Sequence, residues 1–279
     1  MRDYIKLFRV KHYIKNLLVF VPMFFGGVIF DIHKLLRAIM GFFCFCLVSS
    51  AVYILNDYKD IEKDRNHPTK KNRPLASGRI KSKNAIILML ICLMVVFSVT
   101  IVLDNSEGAV CLVLYFALNV AYSMGLKNKS IIDIVILAAG FVIRVLYGGF
   151  VTEIVISKWL YLVVVTGSLY MGLGKRRNEF KAQNDTREVL KYYNEAFLDK
   201  NMYVCLALTN VFYALWTLEM SNPKISWTVP GFLVILMCYS LDTEGESDGD
   251  PVEVILKDKM LIAIILSYAI CIFALLYIV

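Results

Sequence analysis

The chain has 279 residues, 58% of them apolar and 19% charged, and its mean hydropathy is +0.63. Soluble domains run at about 45–50% apolar and about 25% charged, so an ordinary water-soluble domain and a disordered chain are both excluded. All seven cysteines lie inside apolar runs, which excludes a disulfide scaffold, and the net charge of +7 suits anionic headgroups or phosphates and gives no reason to invoke nucleic acid.

A transmembrane helix needs roughly 20 apolar residues, and stretches free of Asp, Glu, Lys and Arg supply the predicted elements in chain order. The first, Asn16–Phe30, follows a basic arm; nothing after Gly27 resembles a small-x-small cleavage site, so it reads as a span and not a signal peptide. The next are Ala38–Asn56, Ala85–Leu103 and Gly108–Leu126, then Ile134–Thr152 with Arg144 inside it. Trp159–Gly174, Asn201–Leu218, Ile225–Leu241 and Met260–Val279 complete the set. The expected fold is an all-α polytopic membrane bundle of nine transmembrane helices, a single domain over residues 1–279. With the N-terminus inside, the connections on that face carry 25 of the 30 Lys and Arg and the opposite face carries 4. The positive-inside rule therefore predicts a cytoplasmic N-terminus and an external C-terminus.

Residues that carry chemistry gather on the basic face. Lys15 and Asn16 stand where the first span enters the membrane, as anchors or as ligands. The second span runs on into Asn56, Asp57, Asp60 and Asp64, which a continuous helix at about 100° per residue would place within one quadrant of roughly 100°; Glu62 and Arg65 point away. Three carboxylates so close repel unless a cation neutralises them, and hard oxygen ligands suit Mg²⁺. The plainer alternative is a solvated helix end with local ion pairs. The loop after it holds Pro68 and Pro74, which break the helix and present Lys70, Lys71 and Arg73 beside the acidic quadrant. Those cations grip anions, or merely bind acidic lipid.

Tyr122, Ser123 and Lys127 end the fourth span on the same side, within reach of a donor or lipid phosphate. Asp133 and Arg144 share a stripe but stand about 16 Å apart along the axis, too far to pair. Arg144 must find another partner, because a charge that deep faces the bundle interior. After the sixth span, Lys175, Asn178 and Glu179 share a helical face with Arg176 beside them, a cationic group for phosphates or a basic helix stop. The segment Asp242–Lys259 carries seven carboxylates against two lysines, mostly solvated. His12, His33 and His67 are too dispersed in sequence for a metal site.

The run NDYKDIEKDRNHPTKKNRPLASGRI, residues 56–80, resembles the first Asp-rich motif of the UbiA-type membrane prenyltransferase superfamily. Within it, DRNHPTKKNRPLASG is most similar to the decaprenyl-phosphate phosphoribosyltransferase branch. KNLLVFVP, AYSMGLK, DIVILAAGFVIRVLYGG, GKRRNEF and DPVEVILKDKML extend the likeness in order along almost the whole chain. The resemblance implies nine transmembrane helices, Mg²⁺ and polyprenyl substrates. For this branch it implies transfer of the 5-phosphoribosyl group from phosphoribosyl diphosphate to a polyprenyl phosphate, with release of diphosphate. The second Asp-rich motif of the usual prenyltransferases is replaced here by Gly174–Glu179.

Residue by residue, the resemblance gives Asp57 and Asp60 the catalytic role, with Asn56, Asp57, Asp60 and Asp64 as metal ligands. Lys15, Asn16, Arg65, Lys70, Lys71, Arg73, Tyr122, Lys127, Lys175, Arg176 and Glu179 are the expected substrate-binding set. A bacterial inner membrane with the site facing the cytoplasm is the expected location. Two alternatives stand beside this reading: a prenyltransferase acting from prenyl diphosphate on an aromatic or other acceptor, and a non-enzymatic transporter or scaffold for lipid or anions.

Overall fold

The computed structural model describes residues 2–182, 187–245 and 249–278, and among them it is helical throughout, with no strand. Twelve α-helices follow in order: α1 Arg2–Phe8, α2 Val21–Phe25, α3 Ile32–Lys59, α4 Ile61–Arg65, α5 Ser82–Leu103, α6 Ser106–Ser123, α7 Ile132–Thr152, α8 Lys158–Lys181, α9 Glu195–Leu218, α10 Val229–Glu244, α11 Pro251–Lys257 and α12 Lys259–Tyr277. Short polar side chains start six of them. Asp31 accepts from the His33 and Lys34 amides at 3.0 and 3.1 Å, and Ser157, Asn194 and Asp258 cap α8, α9 and α12 in the same way.

Among the described residues seven helical segments are long and apolar enough to cross a membrane: α3, α5, α6, α7, α9, Pro223–Glu244 and α12. Outward-facing Met94, Phe97 and Ile101 of α5 and Leu266 and Ile270 of α12 are exposed, an arrangement stable where the solvent is lipid. The other two expected spans depart from that description. Lys158–Lys181 is helical and long, but its apolar run ends at Gly174, ahead of Lys175, Arg176 and Arg177. Asn16–Phe30 is not a continuous α-helix: Val10–Phe20 winds as a 3₁₀ helix and only the five residues of α2 follow. Pro22 has no amide to donate back into the preceding turn. The segment also lies hard against α7, where a Cβ on Gly148 would meet the Val19 carbonyl oxygen at 2.0 Å. Only glycine permits that approach.

Both segments nevertheless run from one end of the bundle to the other. At one end Arg9 reaches Asp57 and Lys15 reaches Asp250. At the other, the Tyr277 hydroxyl donates to the Met23 and Phe24 carbonyls at 3.2 and 2.7 Å. There Arg37 also donates to Val151 and Leu103 carbonyls at 2.6 and 3.1 Å, tying the start of α3 to the ends of α7 and α5. Helix α8 likewise runs from Lys158, 3.5 Å from Glu219, to Lys175 near Asp250.

Arg144 is buried between α7 and the 3₁₀ segment. Its Nε donates to Asn16 Oδ1 at 2.8 Å and its Nη2 to the Tyr115 hydroxyl at 3.0 Å. The rings of Phe45 and Tyr115 each lie 4.9 Å from its guanidinium carbon, so neutral oxygens and π-faces solvate the charge. Asn16 is thereby corrected: it is fully buried, its amide nitrogen donates to Cys46 Sγ at 3.2 Å, and it supports Arg144 rather than standing open to a phosphate.

Candidate active site

Helix α3 ends at Lys59, and Asp60 (φ −94°, ψ 9°) turns the chain into α4. This break invalidates the rotation expected of an unbroken helix, and the predicted quadrant divides. Asp57 and Asp64, both buried, converge on one side chain: Arg73 Nη1 lies 3.1 Å from Asp57 Oδ1 and 2.7 Å from Asp64 Oδ2. Arg9 Nη2 also reaches Asp57 Oδ1, at 2.5 Å. Asn56 instead accepts a hydrogen bond from the Ser123 hydroxyl, and Asp60 looks to Lys127 at 3.9 Å. Among the described residues no three His, Cys, Asp or Glu side chains gather closely enough to hold a metal together, which corrects the four-ligand expectation.

Two carboxylates that share one cationic nitrogen are nonetheless arranged around the place of a cation. Mg²⁺ commonly takes one or two carboxylates and completes its shell with water and substrate phosphate. The pair Asp57 and Asp64 fits that habit.

Above them opens a cleft of about 320 Å³ lined by Lys6, Arg9, Asp57, Thr69, Lys70, Asn72, Arg73 and Pro74. The loop that forms it is stiffened by its own side chains: Ser77 donates to the Arg73 carbonyl at 2.8 Å, and Arg79 donates to Ser77 Oγ at 3.0 Å and to the Asn72 carbonyl. Burial, reinforced by neighbouring Arg73, holds the Lys70 ammonium below the ordinary lysine value. Lys71 is exposed and outside the cleft lining. Arg65 points away, donating to the Ala76 carbonyl at 3.2 Å and to Glu62 at 2.8 Å. A recess of similar volume at the opposite end, against Phe25, Trp216 and Leu275, contains no ionisable lining group.

A second charged group lies at the same end. Lys15 Nζ is 2.8 Å and Lys175 Nζ 3.7 Å from Asp250 Oδ2. Burial works to raise the Asp250 pKa, but the two ammonium groups outweigh it and leave the carboxyl below its usual range. A third group is closed. Arg176, fully buried, donates to the Asp133 carboxylate, to Glu179 at 2.5 Å and to the Tyr122 hydroxyl at 3.0 Å. Tyr193 donates to Asp133 at 2.5 Å, and Arg187 reaches Tyr122 at 3.0 Å and Glu179 at 3.1 Å. Arg176, Glu179 and Tyr122, expected at substrate phosphates, are therefore corrected to members of a neutralised cage. Asn178, on the shared helical face, donates to the Thr243 carbonyl at 2.7 Å.

Lys6, Arg9, Arg187 and the role of Asp250 were not legible in the sequence, and Asp133 pairs with Arg176, to which no spacing pointed. Glu246 and Asp248 of the acidic segment lie outside the described residues.

Comparison with known proteins decides the family. The model of the UbiA prenyltransferase family matches residues 17–189. This chain belongs to the UbiA prenyltransferase family. As a UbiA-family member it is an integral membrane enzyme. It is 31% identical to the decaprenyl-phosphate phosphoribosyltransferase of Mycobacterium tuberculosis, over 95% of this chain and 91% of that protein. It is 32% identical to the protein of the same name from Mycolicibacterium smegmatis, over 95% and 89%. The fold matches a UbiA homologue from Archaeoglobus fulgidus solved bound to GPP and Mg²⁺, with a TM-score of 0.72 at 16% identity over 98% of this chain and 99% of that one.

Proposed function

We propose that this UbiA-family enzyme transfers the 5-phosphoribosyl group from phosphoribosyl diphosphate to a polyprenyl phosphate, releasing diphosphate. The observation that carries the reading is the cleft over Asp57, where four cations, Lys6, Arg9, Lys70 and Arg73, accompany a single lining carboxylate. Such an excess suits a donor bearing both a diphosphate and a 5-phosphate, since guanidinium groups fork onto phosphate oxygens and lysines act as point charges. The two mycobacterial relatives, alike along 95% of the chain, carry the name of that activity.

Asp57 and Asp64 would hold Mg²⁺, while Asp60 faces Lys127. The ion, when bound, neutralises charge on the diphosphate as it departs. Arg9 and Arg73 exchange their carboxylate contacts for phosphate oxygens, and Lys70 closes over the loop side. The bond between the anomeric carbon and the diphosphate oxygen breaks, and a bond from that carbon to a lipid phosphate oxygen forms. The acceptor is already an anion, so no general base is required; positive character on the ribose resembles glycoside chemistry, and positioning supplies much of the rate.

The same reading takes the chain as one domain with nine crossings, its N-terminus and site on the cytoplasmic side of a bacterial inner membrane. The end-to-end paths of the 3₁₀ segment with α2 and of α8 support it, as does the bias of Lys and Arg to the site end. The fold shared with a homologue bound to GPP and Mg²⁺ favours a second reading, prenyl transfer from a prenyl diphosphate. Purified protein given Mg²⁺, labelled phosphoribosyl diphosphate and polyprenyl phosphate should move label into the lipid phase. Consumption of prenyl diphosphate without labelled lipid would replace the proposal with the second reading.

A further inference from the structure

In a 3₁₀ helix three residues complete a turn, so side chains at i and i+3 stack along one edge. In Val10–Phe20 that edge carries His12 and Lys15, with Arg9 at its head; an α-helix would spread the three over roughly 120°. The contacts follow this line. Arg9, bound to Asp57, lies over the Tyr53 ring at 4.6 Å, and the Tyr53 ring packs on His12 with centroids 5.6 Å apart. Lys15 then reaches Asp250. His12 stands between the two charged groups: Nδ1 is buried with no hydrogen-bond partner among the described residues. Burial first, then Lys15 and Arg9, lower its pKa to about 4, so the imidazole is neutral.

The group at Asp250 is assembled from three distant parts of the chain: the 3₁₀ segment, α8 and the turn before α11. Gly249 (φ 72°) brings that turn down on α8, where a Cβ would meet Lys175 Cα at 2.7 Å. The other Asp250 oxygen accepts from the Val252 amide at 3.1 Å, so the carboxylate is fixed from both sides. Among the described residues the two lysines share the Asp250 carboxylate, and 13% and 26% of the Lys15 and Lys175 side chains are exposed. Ile14 and Leu17, next to Lys15 in the chain, are exposed apolar side chains.

We propose that Lys15 and Lys175 form a subsite for a phosphate monoester, that Asp250 is its positioning residue, and that the His12 imidazole hydrogen-bonds a phosphate oxygen between this subsite and the Asp57 cleft. Resting on the phosphoribosyl-transfer reading, the occupant is the phosphate of the lipid acceptor. The four-cation cleft suits the more highly charged donor, whereas a pair of lysines at one carboxylate suits a monoester, and exposed Ile14 and Leu17 offer the prenyl chain an apolar exit that a ribose phosphate does not need.

The test is binding, separate from turnover. Farnesyl phosphate, ribose 5-phosphate and phosphoribosyl diphosphate are each titrated calorimetrically into the detergent-solubilised wild type and into Lys15→Gln, Asp250→Asn and Asp250→Glu. Loss of one charge-assisted contact should weaken farnesyl phosphate about tenfold or more in Lys15→Gln and Asp250→Asn, with partial recovery in Asp250→Glu. Unaltered phosphoribosyl diphosphate binding shows that these variants are folded. Weakened ribose 5-phosphate or phosphoribosyl diphosphate with unaltered farnesyl phosphate would assign the lysines to the donor and overturn the proposal. Equal loss of all three ligands in every variant, Lys15→Gln included, would mark a structural clasp and also overturn it. A wild type that binds farnesyl phosphate through Lys15 but yields no ribosylated lipid would sustain the subsite and sink the transfer reading.

Discussion

At Asp57 the carboxylate is buried, but its partners Arg9 and Arg73 keep 23% and 28% of their side chains exposed and face an open cleft. At Arg176 the guanidinium and Asp133 are both fully enclosed, and Glu179, Tyr122 and Tyr193 complete the shell. Both regions sit at the same end of the bundle and use the same residue types. The difference lies in how much of the charge remains uncommitted. A guanidinium at a cleft can trade a carboxylate for a phosphate because water shares the cost of the exchange, whereas one sealed among its counter-charges cannot leave without stranding them.

The sharpest way to break this comparison is Arg176→Met, which leaves Asp133 buried without its cation and Glu179 with Arg187 alone. Stability should fall by about 3–5 kcal/mol, read as a lowered midpoint of thermal unfolding in detergent. An unchanged midpoint with weakened donor binding would return Arg176 to the substrate site.

Asp57→Asn should act the other way, on turnover. Transfer should drop about 100-fold if one charge-organising contact is lost, while Arg9 and Arg73 rehydrate in the open cleft and spare the fold. Full Mg²⁺-dependent activity in this variant would remove Asp57 from the metal site.

Acid titration sharpens the picture at the junction between the cleft and Asp250. The His12 pKa falls from 6.5 to about 4 in the native protein. Between those values the unfolded chain binds a proton that the native chain does not, so stability declines as pH drops through that window. Asp250 is shifted below its ordinary value; its contribution is present above the unfolded pKa and disappears only as pH falls through the lower, native one. His12→Gln should flatten the decline seen in chemical unfolding followed from pH 7 to pH 4, and an equally steep profile in the variant would assign it elsewhere. The smallest effect is expected at Arg65. Its exposed pair with Glu62 contributes at most about 0.5 kcal/mol, so Arg65→Ala should leave transfer unaltered; a marked loss would extend the site beyond the cleft.

Much of this architecture is legible in the residues. Apolar runs such as Ala85–Leu103 and Gly108–Leu126 become α5 and α6 because the need for lipid burial is local and additive along the chain. Arg144 was expected to find an interior partner and does so in Asn16, the Gly140 carbonyl and Tyr115. Asp57, Lys70 and Arg73 do meet around one cleft. The misplacements have physical causes. Asn56 and Asp60 were projected along an unbroken α3, which instead breaks at Asp60 and leaves only Asp64 beside Asp57, and Lys15 was read from its place at the membrane entry, which says nothing of its partner Asp250. Arg176 and Glu179 carried the same polar signature as Lys175, and no pattern told them apart.

Composition and order alone determined that this is a helical membrane protein with one strongly basic end, since solvent preference and charge bias belong to each residue wherever it packs. Which carboxylate neutralises which cation was left to the folded chain. Coulomb energy and desolvation depend on separations of a few ångströms, and the partners that settle them, such as Lys15 and Asp250, lie 235 positions apart in sequence.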